Sequence, residues 1–364
     1  MDLSKLTIVT PSYERDRLLI RNIKFWDKYK VNHIVLDGSS LPNKYLCDLK
    51  DYSFLKYIHD PIPYHQRIAT ITKHVKTPYL ILVADDDLCF PSVLAKSIEF
   101  LELNPDYSAC SGRAIGFSVN SNKKVFPVFP VYEDMYNDYI IDDELPLQRV
   151  HSHMSRYMPS TMYAVQRTKN WKFIIGHYLK NEHPIFAINE LNIEILTAFC
   201  GKSIVLNDLG WLKSTEEDQI SVDEPTFNQN IHLDMLWRKD SLDKDLKDKF
   251  LESMTSYISE ETSLDFYKVQ KSLDSTLTSY SNWVSNYFRQ KIPFYETRDK
   301  IKSIIPLFIR EPLLNYYRRF KMFVSTPSRR INFLEFVSGL QSKGWQVNMS
   351  EAIYIDKHIR KSIS

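Results

Sequence analysis

Three consecutive aspartates, Asp85, Asp86 and Asp87, follow the apolar run Tyr79 to Val83 and precede Pro91. Neighbouring carboxylates repel one another, so such a triplet is tolerable where water or a divalent cation meets it. Hard oxygen ligands suit Mg²⁺ or Mn²⁺, and such an ion is usually completed by substrate phosphates. Alone, the triplet reads more readily as a solvated acidic turn before the helix that starts after Pro91. Two further polar turns change the balance: Thr10-Pro11-Ser12-Tyr13 and Asp37-Gly38-Ser39 each close another apolar run.

The elements that would position these turns alternate. Leu6 to Thr10 reads as a strand broken by Pro11, and Asp16 is a good N-cap for a helix carrying Leu19, Ile23, Trp26 and Tyr29. His33 to Leu36 and Leu55 to His59 read as strands, with helical stretches around 44–50 and from Tyr64 to Val75. Tyr79 to Val83 is continuously apolar, which suits a strand buried on both faces. Alternating strands and helices with short connections predict a parallel sheet flanked by helices, and ligands gather at the carboxyl ends of such strands. All three polar turns lie there.

Further along, a helix is expected from Val93 to Leu103, strands at 107–110, 162–165 and 203–206, and an extended segment over 125–132. A helix is expected from about Ile188 to Cys200, with Gly201 as its C′ glycine. His151 and His153, if on a strand, would share a side and could meet a metal or a phosphate; half-exposed packing is the commoner use.

Composition narrows the classes. The 364 residues are 43% hydrophobic and 25% charged, ordinary for a soluble globular protein with one large domain plus an extension, or two domains. Only 8 glycines occur, with no dinucleotide fingerprint and no P-loop. A net charge of +2 predicts no nucleic-acid partner, and no binding module accompanies it. Cys47, Cys89, Cys110 and Cys200 form no C-x-x-C, so neither a zinc site nor a disulfide framework is expected. No signal-peptide pattern and no apolar run near the ~20 residues of a membrane span are seen, which predicts a cytoplasmic compartment.

Four segments form an ordered set: Thr10-Pro11-Ser12-Tyr13-Glu14-Arg15, Leu36-Asp37-Gly38-Ser39, Thr77-Pro78-Tyr79 through Pro91, and Asn189-Glu190 with Gly201 downstream. Over residues 5–222 this set resembles the GT-A fold glycosyltransferases of the family 2 type, which use nucleotide-diphosphate sugars. The first segment is similar to the family's P-x-Y-N-R opening, with Glu14 where Asn is usual. The second is similar to its Asp-Gly-Ser turn, without the preceding second Asp. The third is similar to its D-x-D metal motif, and the last to the helix whose second acidic position is the catalytic base.

The resemblance implies an α/β, GT-A (Rossmann-like), mostly parallel sheet flanked by helices. It implies Pro11, Tyr13 and Asp37 at the base and ribose of the nucleotide, with Arg15, Arg67 and Asp85 completing nucleotide binding. Mn²⁺ or Mg²⁺ would be held at Asp86 and Asp87, and Glu190 would be the general base, with Glu194 one turn on in reserve. Counted back from Pro91 the metal motif is Ala84-Asp85-Asp86; counted by identity it is Asp85-Asp86-Asp87. The family's further histidine has no counterpart in Lys213 to Asp218, which leaves Glu216, Glu217, His232 or water as third ligand.

The implied activity is inverting transfer from a nucleotide-sugar, a UDP-sugar foremost, to a glycan or lipid-linked acceptor in bacterial surface polysaccharide synthesis. The alternatives are a sugar nucleotidyltransferase, whose G-x-G-T-R segment is missing here, and a non-catalytic glycan-binding or scaffold protein.

Residues 1–235 would form the transferase domain and 236–364 an α-helical region. Leu242, Leu246, Phe250, Met254 and Tyr257 make one helical stripe, and Phe266, Val269, Leu273, Leu277 and Tyr280 another. Residues 300–330 are basic, aromatic and amphipathic, which suits peripheral contact with the inner face of the plasma membrane. A basic helix completing the core, or an oligomer contact, fits that stretch as well.

Overall fold

The computed structural model describes residues 1–45, 52–119, 126–132, 139–158, 160–181, 186–214, 244–291 and 332–363. The first half alternates as expected: β1 (Leu6–Ser12), α1 (Asp16–Asp27), β2 (Asn32–Asp37), β3 (Leu55–His59), α2 (Tyr64–Ala69), α3 (Ile71–His74) and β4 (Tyr79–Leu82). Then come β5 (Leu88–Cys89), α4 (Pro91–Leu103), β6 (Tyr107–Phe117), β7 (Val128–Pro130), β8 (Ile140–Ile141), α5 (Pro146–Ser155) and β9 (Val165–Arg167). The chain continues through α6 (Thr168–Lys180), α7 (Phe186–Cys200) and β10 (Lys202–Ser214). Among the described residues four more helices follow: α8 (Lys244–Thr262), α9 (Phe266–Lys291), α10 (Phe333–Ser342) and α11 (Met349–Ile363).

One sheet of ten strands runs in the order β3-β2-β1-β4-β9-β6-β10-β5, with β7 on β6 and β8 on β10. The half from β3 to β4 is parallel. The other half is mixed: β9 is antiparallel to both β4 and β6, β10 is parallel to β6, and β5 is antiparallel to β10.

Pro11 does not end β1. Its register with β2 continues through Pro11 opposite Leu36 to Ser12 opposite Asp37. Pairing of β1 with β4 has stopped by then, at Val9 opposite Leu82. The missing N–H therefore falls on a local edge, where proline is tolerated.

The apolar run of β4 is buried on both faces, as its continuity implied. Leu80 and Leu82 enter a core with α2, α3, α5, α6, α7, α8 and α9, while Tyr79 and Ile81 enter a second core with α1, α4, α10 and α11. The two C-terminal stripes thus pack onto the α5–α7 layer: Phe250, Met254 and Leu273 share a core with Trp171 and Ile188. On the opposite side, Glu351 of α11 accepts from the Ser92 amide at 3.0 Å and the Ser92 hydroxyl at 2.7 Å, which supplies the N-terminal cap that α4 lacks.

Several local expectations change. The helix expected over Tyr64 to Val75 is broken at Thr70 into α2 and α3. The expected strand at 162–165 is β9, which starts only at Val165, and a helix not anticipated from the sequence, α6, follows it. His151 and His153 lie on α5, so helical geometry separates them: His153 is buried and His151 exposed. Gly201 does not need a left-handed backbone; a Cβ there would lie 2.7 Å from the Asp106 carbonyl, so the glycine permits close approach of β6.

Residues 300–330, Glu216, Glu217, His232 and most of the expected 44–50 helix lie outside the described residues. Among those described, no helix is long and apolar enough to cross a membrane.

Candidate active site

The site lies where β1, β2 and β4 end and where α7 and the end of β10 face them. The acidic triplet is clamped through its backbone by α1: Arg21 Nη2 donates to the Asp86 carbonyl at 2.9 Å, and Asn22 Nδ2 donates to the carbonyls of Ala84 and Asp87. Its side chains are buried and differently engaged. Asp85 accepts from Ser12 Oγ at 2.7 Å and from Arg15 Nη1 at 2.9 Å, and the same guanidinium nitrogen lies 3.1 Å from Asp86 Oδ2. Asp87 accepts from Trp211 Nε1 at 2.9 Å and from the Ser214 amide at 2.7 Å.

Burial pushes the Asp85 carboxyl up to about 6, opposed by Arg15 and reinforced by the Asp86 charge. Burial, with Asp86 beside it, also raises Asp87 well above the ordinary carboxylate range; the Ser214 amide, Lys213 and Trp211 pull it back only in part. Burial therefore makes the ionised forms of Asp85 and Asp87 costly, a cost that a cation arriving at the triplet would relieve. Hard oxygen donors fit a divalent cation. Each aspartate already has a protein partner, Ser12 and Arg15 on Asp85, Arg15 beside Asp86, and Trp211 with the Ser214 amide on Asp87, so an ion would share these oxygens with them. Among the described residues, no three His, Cys, Asp or Glu side chains form a metal site by themselves. An ion here would need outside ligands, as Mg²⁺ with substrate phosphates does.

The other two polar turns join the same edge. Pro11 and Tyr13 are partly exposed at the end of β1. Asp37 is spent on its own turn: Oδ1 accepts from the Ser39 amide at 2.9 Å, and Oδ2 accepts from the Tyr57 hydroxyl. Glu14 has a left-handed backbone, φ 52°, which non-glycine residues seldom adopt and Asn tolerates best. Asn at this place in the resembling motif has that physical reason. Glu14 instead ties the two turns together, accepting from the Ser40 amide at 2.7 Å. Arg67 is buried against Gly38; a Cβ at Gly38 would lie 1.0 Å from Arg67 Nη1, so only glycine admits the guanidinium.

Glu190, on α7, faces this edge from the other side. It is partly buried and hydrogen-bonded by Tyr157. Burial raises its carboxyl to about 7; the neighbouring Glu194 adds to this, while Lys213 and Tyr157 oppose it. Glu190 and Asp87 both help to raise the Tyr132 and Tyr163 phenols, so both carboxylates lie near those two rings. Glu194 is fully engaged inside the protein: it accepts from the Thr161 hydroxyl and the Met162 amide, and His153 Nε2 lies 2.8 Å from it. It anchors the segment carrying Tyr157 and Tyr163.

The sequence reading therefore brings together Asp85, Asp86, Asp87, Arg15 and Glu190, with Asp37 and Arg67 on the adjoining turn. It missed Ser12 as a partner of Asp85, and also Trp211, Lys213, Tyr132, Tyr157 and Tyr163. Position was the available signal for the β10 residues, since a strand end beside β5 must meet the triplet that precedes β5. The tyrosines gave none.

The mixed α/β sheet flanked by helices has the GT-A-type fold. No protein-family model and no curated protein sequence matches the chain. Among solved structures it is similar to S. aureus TarS 1-349 in complex with UDP-GlcNAc, with TM-score 0.52 and 12% identity over 80% of this chain and 77% of that one. TarS 1-349 in complex with UDP aligns with TM-score 0.48 and 12% identity, over 98% of this chain and 90% of that one. The structure titled TarS alone aligns over 86% of this chain and 52% of that one, with TM-score 0.47 and 12% identity.

Proposed function

We propose that this chain is a metal-dependent, inverting glycosyltransferase that moves a sugar from a UDP-sugar to a glycan or lipid-linked acceptor in bacterial surface polysaccharide synthesis. The observation that carries the reading is the pairing of two unlike acidic groups: a buried aspartate triplet at the strand ends, and Glu190 on α7 with its carboxyl raised to about 7. A carboxylate titrating near neutrality is matched to general-base work. The uridine nucleotide is taken from the UDP-GlcNAc complex of the similar structure.

Pro11 and Tyr13 receive the nucleoside, beside the turn held by Asp37, and Arg67 supports the diphosphate from that turn. Mn²⁺ or Mg²⁺ at Asp86 and Asp87 would supply charge that offsets the negative charge developing on the departing diphosphate. The acceptor hydroxyl gives its proton to Glu190 as its oxygen bonds to the anomeric carbon. The bond from that carbon to the diphosphate oxygen breaks on the opposite side, its electron pair leaves with the diphosphate, and the configuration inverts. Burial keeps Glu190's affinity for the proton high, and the Tyr157 hydroxyl tempers it.

The test is thermal unfolding with UDP, GDP and CMP, each with and without Mn²⁺. A metal-dependent rise in Tm with UDP is expected, and it should vanish when Asp86 and Asp87 are both replaced by Ala. No response to any nucleotide would overturn the reading. We place the reaction at the cytoplasmic face of the membrane, with contact through residues 300–330. Removing the C-terminus would strip α10 and α11 from the core, so the full chain with Arg318, Arg319 and Lys321 changed to Glu is the proper variant. Its flotation with anionic liposomes should fall, and unchanged flotation would sink the membrane contact.

A further inference from the structure

Lys213 stands at the end of β10, two residues after Trp211 and hence on the same face of the strand. Trp211 already donates to Asp87, and the Ser214 amide does so from the other side of Lys213. The Lys213 ammonium is thereby delivered to the gap between the triplet and Glu190. Its Nζ donates to the Tyr132 hydroxyl at 2.7 Å and lies 5.3 Å from the Tyr132 ring centroid and 5.7 Å from that of Trp211. Among the described residues it forms no ion pair with a carboxylate, although Glu190 and Asp87 are both near enough to act on it.

An ammonium has three N–H donors, and Tyr132 takes one. A half-buried cation with donors to spare, set beside two aromatic rings, is arranged for an anion that arrives from outside. Burial works against its charge, but Tyr132, Glu190 and Asp87 more than offset this and keep the lysine protonated. Tyr132 is itself held in a left-handed backbone, φ 55°, a conformation that tyrosine avoids. Residues kept in such conformations cluster at functional sites.

We propose that Lys213, oriented by Tyr132, binds the terminal phosphate of a nucleoside diphosphate between Asp87 and Glu190, a role that rests on the transferase reading above. Lys213 then complements the metal on the leaving-group side: the ammonium contacts the phosphate oxygen that gains charge as the sugar departs. Tyr132 is a positioning residue that acts through the lysine.

The experiment compares UDP and UMP binding by calorimetry on the full chain at fixed Mn²⁺. Lys213→Met should weaken UDP by about 10–100-fold, the range for a hydrogen bond to a charged group, and leave UMP unchanged. Lys213→Arg should recover part of the loss. Tyr132→Phe should weaken UDP less, in the same selective sense, and carries the test if Lys213→Met does not fold. Equal weakening of UDP and UMP would mark a structural role and overturn the proposal, as would wild-type UDP affinity in both Lys213→Met and Tyr132→Phe. A wild-type chain that binds UMP and UDP equally also overturns it. One that binds no nucleotide at all overturns the transferase reading first.

Discussion

On the β1–β2–β4 side of the site, charges are matched. Asp85 has Ser12 and Arg15, Asp37 has Ser39 and Tyr57, and Arg67 lies against Gly38. On the α7–β10 side, Glu190 sits among phenols with its carboxyl raised to about 7, and Lys213 is hydrogen-bonded to Tyr132 rather than to an acid. The first arrangement holds a shape before any ligand arrives. The second leaves the Glu190 carboxyl displaced from its ordinary range, which costs stability and suits proton transfer. The parallel half of the sheet thus carries the polar turns held in advance, and the mixed half carries the carboxyl raised towards neutrality.

The largest effect should come from the unmatched side. Glu190→Gln is expected to lower transfer by roughly 10²–10⁴-fold, the usual worth of a general base, with UDP binding unchanged in calorimetry. In the wild type, transfer should rise with pH through a limb near 7, because the base works only when ionised. The stability change has the opposite sense. The folded-state value is raised from the ordinary 4.5 to about 7, so Glu190's favourable contribution is complete below 4.5 and is lost as pH rises through about 7. Glu190→Gln should therefore melt above the wild type at pH 8, and that advantage should disappear by pH 4.5. Full transfer activity in the variant would break this contrast.

On the matched side, Arg15→Met leaves Asp85 and Asp86 buried without their cation. Breaking a buried pair in this way typically costs about 3–5 kcal/mol, read by urea unfolding. A loss below about 1 kcal/mol would mean that the triplet is not held by Arg15.

Gly38→Ala sharpens the same side. Its Cβ must displace Arg67 Nη1, and overpacking of this kind costs about 1–3 kcal/mol, with weaker UDP binding as the second readout. A stable variant with unchanged UDP affinity would remove Arg67 from the nucleotide site.

The smallest effect is expected from Glu14→Asn. It relieves a left-handed backbone but loses the bonds to Ser40, so stability should stay within about 1 kcal/mol of the wild type in the same unfolding assay. A larger loss would show that the Ser40 tie holds the two turns in place.

What was legible in the sequence was local. Apolar runs and breakers placed β1 to β4 to within a few residues, and the three polar turns fell at their ends. The α7 helix and the stripes of α8 and α9 could be read by period. The same local logic failed where a residue's neighbours are distant. Pro11 stays in β1 because β4 stops pairing there, and Gly201 is needed because β6 passes close.

The sequence by itself determined that an acidic triplet would end a doubly buried strand, since burial on both faces requires an unbroken apolar run and the charges must follow it. Tertiary structure alone decided what each aspartate does. Arg15 reaches Asp85 across 70 positions of chain, and Ser214 reaches Asp87 across 127. It also decided that Lys213 and Tyr132, 81 positions apart, would stand together beside Glu190. Such meetings depend on sheet order and strand register, and the shifted acidity of Glu190 depends on what excludes water from it. Neither property is carried by any short stretch of the chain.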